Sequence, residues 1–273
     1  MALLEVKGLT MRFGGIVAVD DLSFEVEEGS ISALIGPNGA GKTSAFNCLT
    51  GFYKPTSGSI FYKGQSLTEL KPYQITYKKI LRTFQNVRLF KEMTVLENVM
   101  SGAHSITKQS VFGALFRHKA QRMEEKEILE NAEQCLDFIG ILDLKAKIAK
   151  NLSYGDQRRT EWARALAAKP DLLLLDEPAA GLNAEEKQKL IELIRRFRSE
   201  LGITVFLIEH DMSLVMEISE KITVLNFGKK IAEGTPAEVQ ENPLVIDAYL
   251  GSDDDEDDGG DDYGNDEGKA WLK

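Results

Sequence analysis

The sequence predicts an α/β protein, and three observations carry that prediction. Apolar runs at Leu172–Leu175 and Val205–Ile208 have no polar interruption, as parallel strands covered on both faces require. Between them lies AEEKQKLIELIRRFRSE, whose apolar residues recur at helical spacing. Ahead of them, residues 1–30 alternate apolar and polar in the manner of antiparallel strands.

The elements follow in order. The opening hairpin turns at Gly14-Gly15, and Ile31–Ile35 is a short apolar strand that runs into GPNGAGKTS. The helix after it places Ala45, Leu49 and Phe52 on one face, with Gly51 near its end. KPTSGSIFYKGQSL reads as a turn and a strand pair, and KPYQITYKKILRTFQNVRLFKEMT returns toward the core. From about 95 to 165 the pattern is helical, with Ile128, Ala132, Cys135 or Leu136, and Ile139 on one face, so a helical subdomain is inserted into the sheet domain. The β/α alternation resumes as DLLLLDEP, a helix from Ala184, the strand ITVFLIEH, a helix DMSLVMEISEK, and the strands KITVLNFG and KKIAEG.

Composition bounds the function. The chain has 273 residues, 43% hydrophobic and 28% charged, which excludes a wholly disordered protein and allows one large domain or two modest ones. No apolar run approaches the ~18 residues of a spanning helix. Glu5, Lys7 and Arg12 interrupt the stretch that a signal peptide keeps apolar, so no secretion is expected, and membrane work would be done from the surface. Of the net charge of −10, residues 251–273 hold ten Asp or Glu against two Lys, a net of −8. The nearly neutral remainder gives no support for nucleic-acid binding. An ordered domain is therefore expected over 1–250 and a solvated, disordered acidic tail over 251–273. Cys48 and Cys135 lack zinc or redox spacing and are expected to be reduced core residues.

Gly36-Pro37-Asn38-Gly39-Ala40-Gly41-Lys42-Thr43, followed by Ser44, matches the P-loop pattern between an apolar strand and a helix. Glycines allow successive N–H groups to turn inward onto phosphate oxygens, and the helix N-terminus adds its positive dipole end. Lys42 would reach the β- and γ-phosphates, and the Thr43 hydroxyl would ligate Mg²⁺. The strand ending Asp176-Glu177-Pro178 can deliver one carboxylate to hydrated Mg²⁺ and the next to an attacking water. Alone, that pair could equally be a solvated strand end.

Five further elements decide the family. Leu152-Ser153-Tyr154-Gly155-Asp156-Gln157 precedes a helix, Phe13 stands before the first glycine turn, Gln85 lies in RTFQN, and Ala180-Gly181-Leu182-Asn183 and His210 follow the carboxylates. Together with the P-loop and the carboxylate strand, these resemble the ABC ATPases over about residues 3–250. Tyr154 and Asp156 depart from the usual Leu-Ser-Gly-Gly-Gln. The resemblance implies a P-loop fold with a RecA-like parallel-sheet core, an antiparallel β subdomain and the inserted helical subdomain.

It also implies a mechanism. Two ATPase subunits close head to tail, each ATP held by one P-loop and by the Ser153/Gly155 helix N-terminus of the partner. Glu177 acts on water, His210 contacts the γ-phosphate, Gln85 touches Mg²⁺ or the water, and Phe13 stacks on adenine or serves as ordinary core. Val87, Leu89, Phe90 and Met93 either pack in the core or form the groove for a permease helix. Val111, Phe112, Leu115 and Phe116 suggest a partner-facing or membrane-facing stretch.

Within the family, RTFQNVRLFKEMTVLENV, LSYGDQRR, LLLLDEPAAGLN and GTPAEVQENPLVIDAYLG are similar to ATPases of branched-chain amino-acid importers. That implies a peripheral subunit at the cytoplasmic face of the inner membrane, using ATP and Mg²⁺. Its partners would be a second, non-identical ATPase chain, two permeases and, indirectly, a substrate-binding protein. ATPases of urea, amide or lipopolysaccharide systems are the alternative. The soluble ABC proteins of translation and DNA repair lack support, because neither a second cassette nor a long coiled-coil insertion is present.

Overall fold

The computed structural model describes residues 1–104 and 119–250. Val111, Phe112, Leu115, Phe116 and the acidic tail lie outside the described residues. The chain divides into two compact units, Met1–Pro72 with Leu175 onward, and Tyr73–Leu174.

In the first unit, β1 (Ala2–Phe13) and β2 (Ile16–Glu27) pair antiparallel across the expected Gly14-Gly15 turn. β4 (Ser57–Tyr62) and β5 (Gln65–Ser66) extend this sheet to the order β2-β1-β4-β5. Leu4, Val6, Leu22, Phe24, Val26 and Ile60 are buried, consistent with alternation placing every second side chain inward.

A second sheet carries the site. β3 (Ile31–Ile35) lies parallel between β8 (Thr204–Ile208) and β9 (Lys221–Asn226), and β10 (Lys229–Gly234) returns antiparallel on β9. All residues of β3 and β8 are buried, which explains why their sequences alternate so little. α1 (Lys42–Leu49) follows β3. Phe206 of β8 stacks at 5.2 Å on Phe24 of β2 and lies 5.4 Å from Phe46 of α1, so one ring joins both sheets to the helix.

The remaining helices of this unit are α6 (Ala184–Ser199), α7 (Met212–Ile218), α8 (Pro236–Gln240) and α9 (Pro243–Leu250). α6 starts at a capping box in which the Asn183 side chain accepts from Glu186 N–H and Glu186 accepts from Asn183 N–H, both at 3.0 Å. Leu190, Ile191, Ile194 and Phe197 form its buried stripe.

The second unit contains α2 (Pro72–Tyr77), which begins at the preceding residue, β6 (Ile80–Arg82), α3 (Val95–His104), α4 (Lys119–Ile139) and α5 (Tyr154–Ala167). β7 (Leu172–Asp176) pairs parallel with β6 through Leu174 before its last residues enter the first unit. Ile128, Ala132, Leu136 and Ile139 are buried along α4, and Asn131 Nδ2 donates to Ala167 O at 2.8 Å, tying α4 to α5. At Gly102 an added Cβ would sit 2.1 Å from Arg164 O, so glycine permits the close approach of α3 and α5.

Three expectations need correction. α1 ends at Leu49, Gly51 turns the chain at φ +71°, and Phe52 is 50% exposed instead of joining the helix face. The stretch after Lys71 contains α2, a helix the sequence pattern did not suggest because only Ile75 of its six residues is buried. Cys48 is buried, but Cys135 is half-buried, and burial pushes both thiols up to about 11. Among the described residues no helix is long and apolar enough to cross a membrane.

Candidate active site

The site grows from the carboxyl ends of parallel strands, where an open α/β sheet leaves room for a ligand. Gly36 follows the last residue of β3, and the loop to Gly41 opens α1. Gly36 and Gly41 are required by space. A Cβ at Gly36 would lie 2.1 Å from Leu225 O, and one at Gly41, with φ +100°, 2.2 Å from Ala18 O. Gly228 holds the loop from outside by donating to Ala40 O at 3.0 Å, while Asp20 N–H donates to Gly228 O at 2.8 Å.

The Gly41 N-cap supplies no side-chain acceptor to α1, so the first-turn N–H groups keep their capacity for an anion. The loop places Asn38 and Gly39 in solvent and buries Gly36 and Ala40, with Pro37 half-buried. Lys42 folds back over it, donating to Gly36 O at 2.6 Å and Pro37 O at 2.9 Å. Burial lowers the pKa of its amine while the nearby Glu177 carboxylate works to raise it. Thr43 is exposed and Ser44 half-buried at the start of α1.

β7 ends at Asp176, which is buried, and Glu177 then adopts φ +47°. That left-handed conformation costs a non-glycine residue about 1 kcal/mol or more. It is held by Glu177 N–H donating to Ile208 O at 2.9 Å, which locks the carboxylate loop to the end of β8. His210, two residues beyond β8, has a 59% exposed side chain whose Nδ1 lies 4.0 Å from both Glu177 Oε2 and Glu209 Oε2. Asp211 caps α7, accepting from Leu214 N–H at 3.1 Å, and pairs with Lys187 at 2.5 Å. Phe13 is 41% exposed and meets Tyr53 edge-on at 5.2 Å, so the core alternative for Phe13 does not hold.

The structure thus gathers the P-loop, Asp176, Glu177 and His210 at adjacent strand ends of the first unit, with Phe13 at the tip of its hairpin. Gln85 and residues 152–157 belong to the second unit. There Ser153 caps α5, accepting from Asp156 N–H at 3.1 Å and donating to Asp156 Oδ2 at 2.7 Å. Arg159 pairs with Asp156, and Gln157 Nε2 donates to Leu152 O at 3.1 Å. Leu152 is buried, Gly155 half-buried, and Ser153 and Tyr154 exposed. Val87 and Leu89 are half-buried, whereas Phe90 and Met93 are exposed and do not serve as core.

Two residues absent from the sequence expectations matter here. Arg158 is buried in α5 and donates to Gln85 O at 3.2 Å and to Tyr154 Oη at 3.2 Å. Glu209 is buried between the carboxylate loop and His210. The available signal for each was a charged residue directly beside a motif position, which sequence alone reads as solvated.

Comparison with known proteins agrees with this geometry. The chain matches the ABC transporter family over residues 19–180 and the branched-chain amino acid ATP-binding cassette transporter family over 229–255. It is 51% identical over 249 residues to the high-affinity branched-chain amino acid transport ATP-binding protein LivG of Salmonella typhimurium, covering 91% of this chain and 98% of that protein. Among solved structures, the ADP conformation of MJ1267, an ATP-binding cassette of an ABC transporter, superposes with TM-score 0.80 at 31% identity, over 92% of this chain and 99% of its own. A dimeric post-hydrolysis state of the cassette MJ0796 bound to ADP and Pi gives TM-score 0.72 at 26% identity, over 85% of this chain and 98% of its own. With its nucleotide loop, carboxylate strand and near-complete coverage of such relatives, the chain belongs to the ABC transporter ATPases, in the branch of the branched-chain amino-acid transport ATP-binding proteins.

Proposed function

We propose that this chain hydrolyses ATP to drive import of branched-chain amino acids through partner permeases. The observation that carries the reading is the likeness to LivG across 98% of that protein's length.

ATP phosphates lie within the loop Gly36–Ser44, bound by inward N–H groups and the α1 N-terminus. Lys42, now on Gly36 O and Pro37 O, exchanges those carbonyls for phosphate oxygens. Glu177 orients the attacking water and accepts its proton, and His210 donates to the γ-phosphate. Phe13 offers its exposed ring to adenine. In trans, Ser153 and Gly155 at the N-terminus of α5, framed by Leu152, Tyr154, Asp156 and Gln157, complete the enclosure of the γ-phosphate in a head-to-tail dimer.

The hard oxygen donors of Thr43 and Asp176 suit Mg²⁺, which keeps several waters and needs only one or two protein oxygens beside phosphate. Bound Mg²⁺ would neutralise charge on the phosphate oxygens. The partners are a homologous, non-identical ATPase chain, two permeases and, through them, a substrate-binding protein, with this subunit peripheral at the cytoplasmic face.

The test is uptake of labelled leucine by cells lacking this gene, complemented with wild type or with Glu177→Gln. Uptake restored by wild type alone supports the reading. Normal leucine uptake in the deletion strain overturns the solute and turns attention to urea and amides.

A further inference from the structure

Glu209 directly follows β8 and is 1% exposed. A carboxylate held that deep is tolerated only when donors surround it. Oε1 accepts from Ala179 N–H at 2.6 Å, and Oε2 accepts from His210 N–H at 3.2 Å and Asp211 N–H at 3.5 Å. Burial pushes the carboxyl's pKa up, while these main-chain donors and His210 pull it down.

Those donors come from two loops. Ala179 lies two residues past Glu177, and His210 and Asp211 open the loop after β8. Glu177 itself is pinned to Ile208 O at 2.9 Å. The chain on either side of the Glu177 carboxylate is therefore tied to the His210 segment, first through the strand-end hydrogen bond and then through the Glu209 side chain. A shorter or apolar side chain at 209 would release the second tie and leave Ala179 N–H to find another acceptor.

We propose that Glu209 is a positioning residue for ATP hydrolysis, a buried brace that fixes Glu177 and His210 relative to each other through the main-chain N–H groups of Ala179 and His210. The proposal rests on the roles given above to Glu177 and His210. Both of its carboxylate oxygens are taken up by main-chain N–H groups, of Ala179 on one side and of His210 and Asp211 on the other. Its contribution is geometric, because misplacing a reacting group by a fraction of an ångström lowers turnover without changing how tightly the phosphates are held.

The experiment compares full-length wild type, Glu209→Ala, Glu209→Gln and Glu177→Gln. The readouts are steady-state ATP hydrolysis per nucleotide-binding site, the Kd of a fluorescent ATP analogue, and amide hydrogen exchange over 177–183 and 209–212. Glu209→Ala is expected to lower kcat by about tenfold or more while the Kd stays within about twofold, with faster exchange in both segments. Glu209→Gln keeps one acceptor oxygen and is expected to recover part of the loss.

Wild-type kcat in Glu209→Ala together with an inactive Glu177→Gln overturns the brace and leaves the assignment of Glu177 standing. Activity in Glu177→Gln equal to wild type overturns that underlying assignment instead. Loss of binding in step with loss of folded protein makes Glu209 a stability residue only and overturns the proposal. Unchanged exchange in both segments overturns it independently of turnover.

Discussion

The main-chain carbonyl of Gln85 accepts a hydrogen bond at 3.2 Å from the guanidinium of Arg158, which is 2% exposed. The same guanidinium donates to Tyr154 Oη at 3.2 Å and lies 5.3 Å from the centre of that ring, and Tyr154 Oη reaches Gln85 O at 3.5 Å. Tyr154 is where the sequence departs from the family's usual glycine. Its ring and Arg158 therefore anchor the Gln85 segment to the first turn of α5. Arg158→Ala takes the charged donor from the Gln85 carbonyl and leaves a void where the buried guanidinium stood, and should cost about 2–4 kcal/mol in urea unfolding. Tyr154→Phe removes only the hydroxyl and should cost about 1 kcal/mol or less. Equal costs would contradict Arg158 as the principal anchor.

Gly41→Ala meets a stricter barrier than lost flexibility. Its φ is +100°, and the added Cβ would stand 2.2 Å from Ala18 O, so either the loop or β2 must move. The strain should cost about 2–4 kcal/mol in unfolding free energy, and fluorescent ATP-analogue binding should fall below detection. Gly39→Ala is the informative contrast. Nothing lies within 4 Å of its Cβ, and only its φ of +77° resists, so a smaller loss of about 1 kcal/mol is expected.

The pair Lys187–Asp211 sets a pH dependence. Burial works to raise the Asp211 pKa, but Lys187, the Ser213 hydroxyl and Leu214 N–H outweigh it and hold the carboxyl below its ordinary 3.8. A depressed folded pKa means the unfolded chain binds the proton first, so the contribution is complete above 3.8 and is lost as pH falls through the folded value. Lys187→Met should destabilise by about 1 kcal/mol at pH 7. The difference from wild type should shrink toward zero in the acid range below pH 3.8. A difference independent of pH in urea unfolding would assign the effect to packing of the lysine stem.

These sites show why parts of the molecule are legible in the sequence and parts are not. The P-loop is legible because each requirement, backbone freedom at Gly36 and Gly41 and charge at Lys42, falls within one contiguous window between a strand and a helix. β7 and β8 are legible because burial on both faces demands unbroken apolar runs. Glu209 is not, since its partner Ala179 lies 30 residues away and offers only a main-chain N–H, which has no residue signature. Arg158 is hidden for the same reason, its acceptor being the carbonyl of Gln85. Phe52 misleads because the helix period continues past Leu49 in sequence while Gly51 stops it in space.

Loss of the Glu177 carboxylate should separate ATP binding from hydrolysis. Glu177→Gln keeps the side-chain volume and the N–H bond to Ile208 O but cannot take a proton from water. ATP then persists between the P-loop of one chain and Ser153 of the other. In sedimentation, Glu177→Gln with ATP, run alone and together with the partner ATPase chain, should move to the mass of a two-cassette dimer in at least one of the two samples, and wild type with ADP should not in either. Adding Ser153→Ala should weaken that dimer, because the hydroxyl that caps α5 through Asp156 is also the one proposed above to meet the γ-phosphate. Asp156 places a carboxylate in that same first turn, balanced by Arg159, so Arg159→Ala should weaken the dimer further by exposing the phosphate to an unscreened negative charge. A Glu177→Gln chain that stays monomeric in ATP while hydrolysing it at the wild-type rate would refute the clamp.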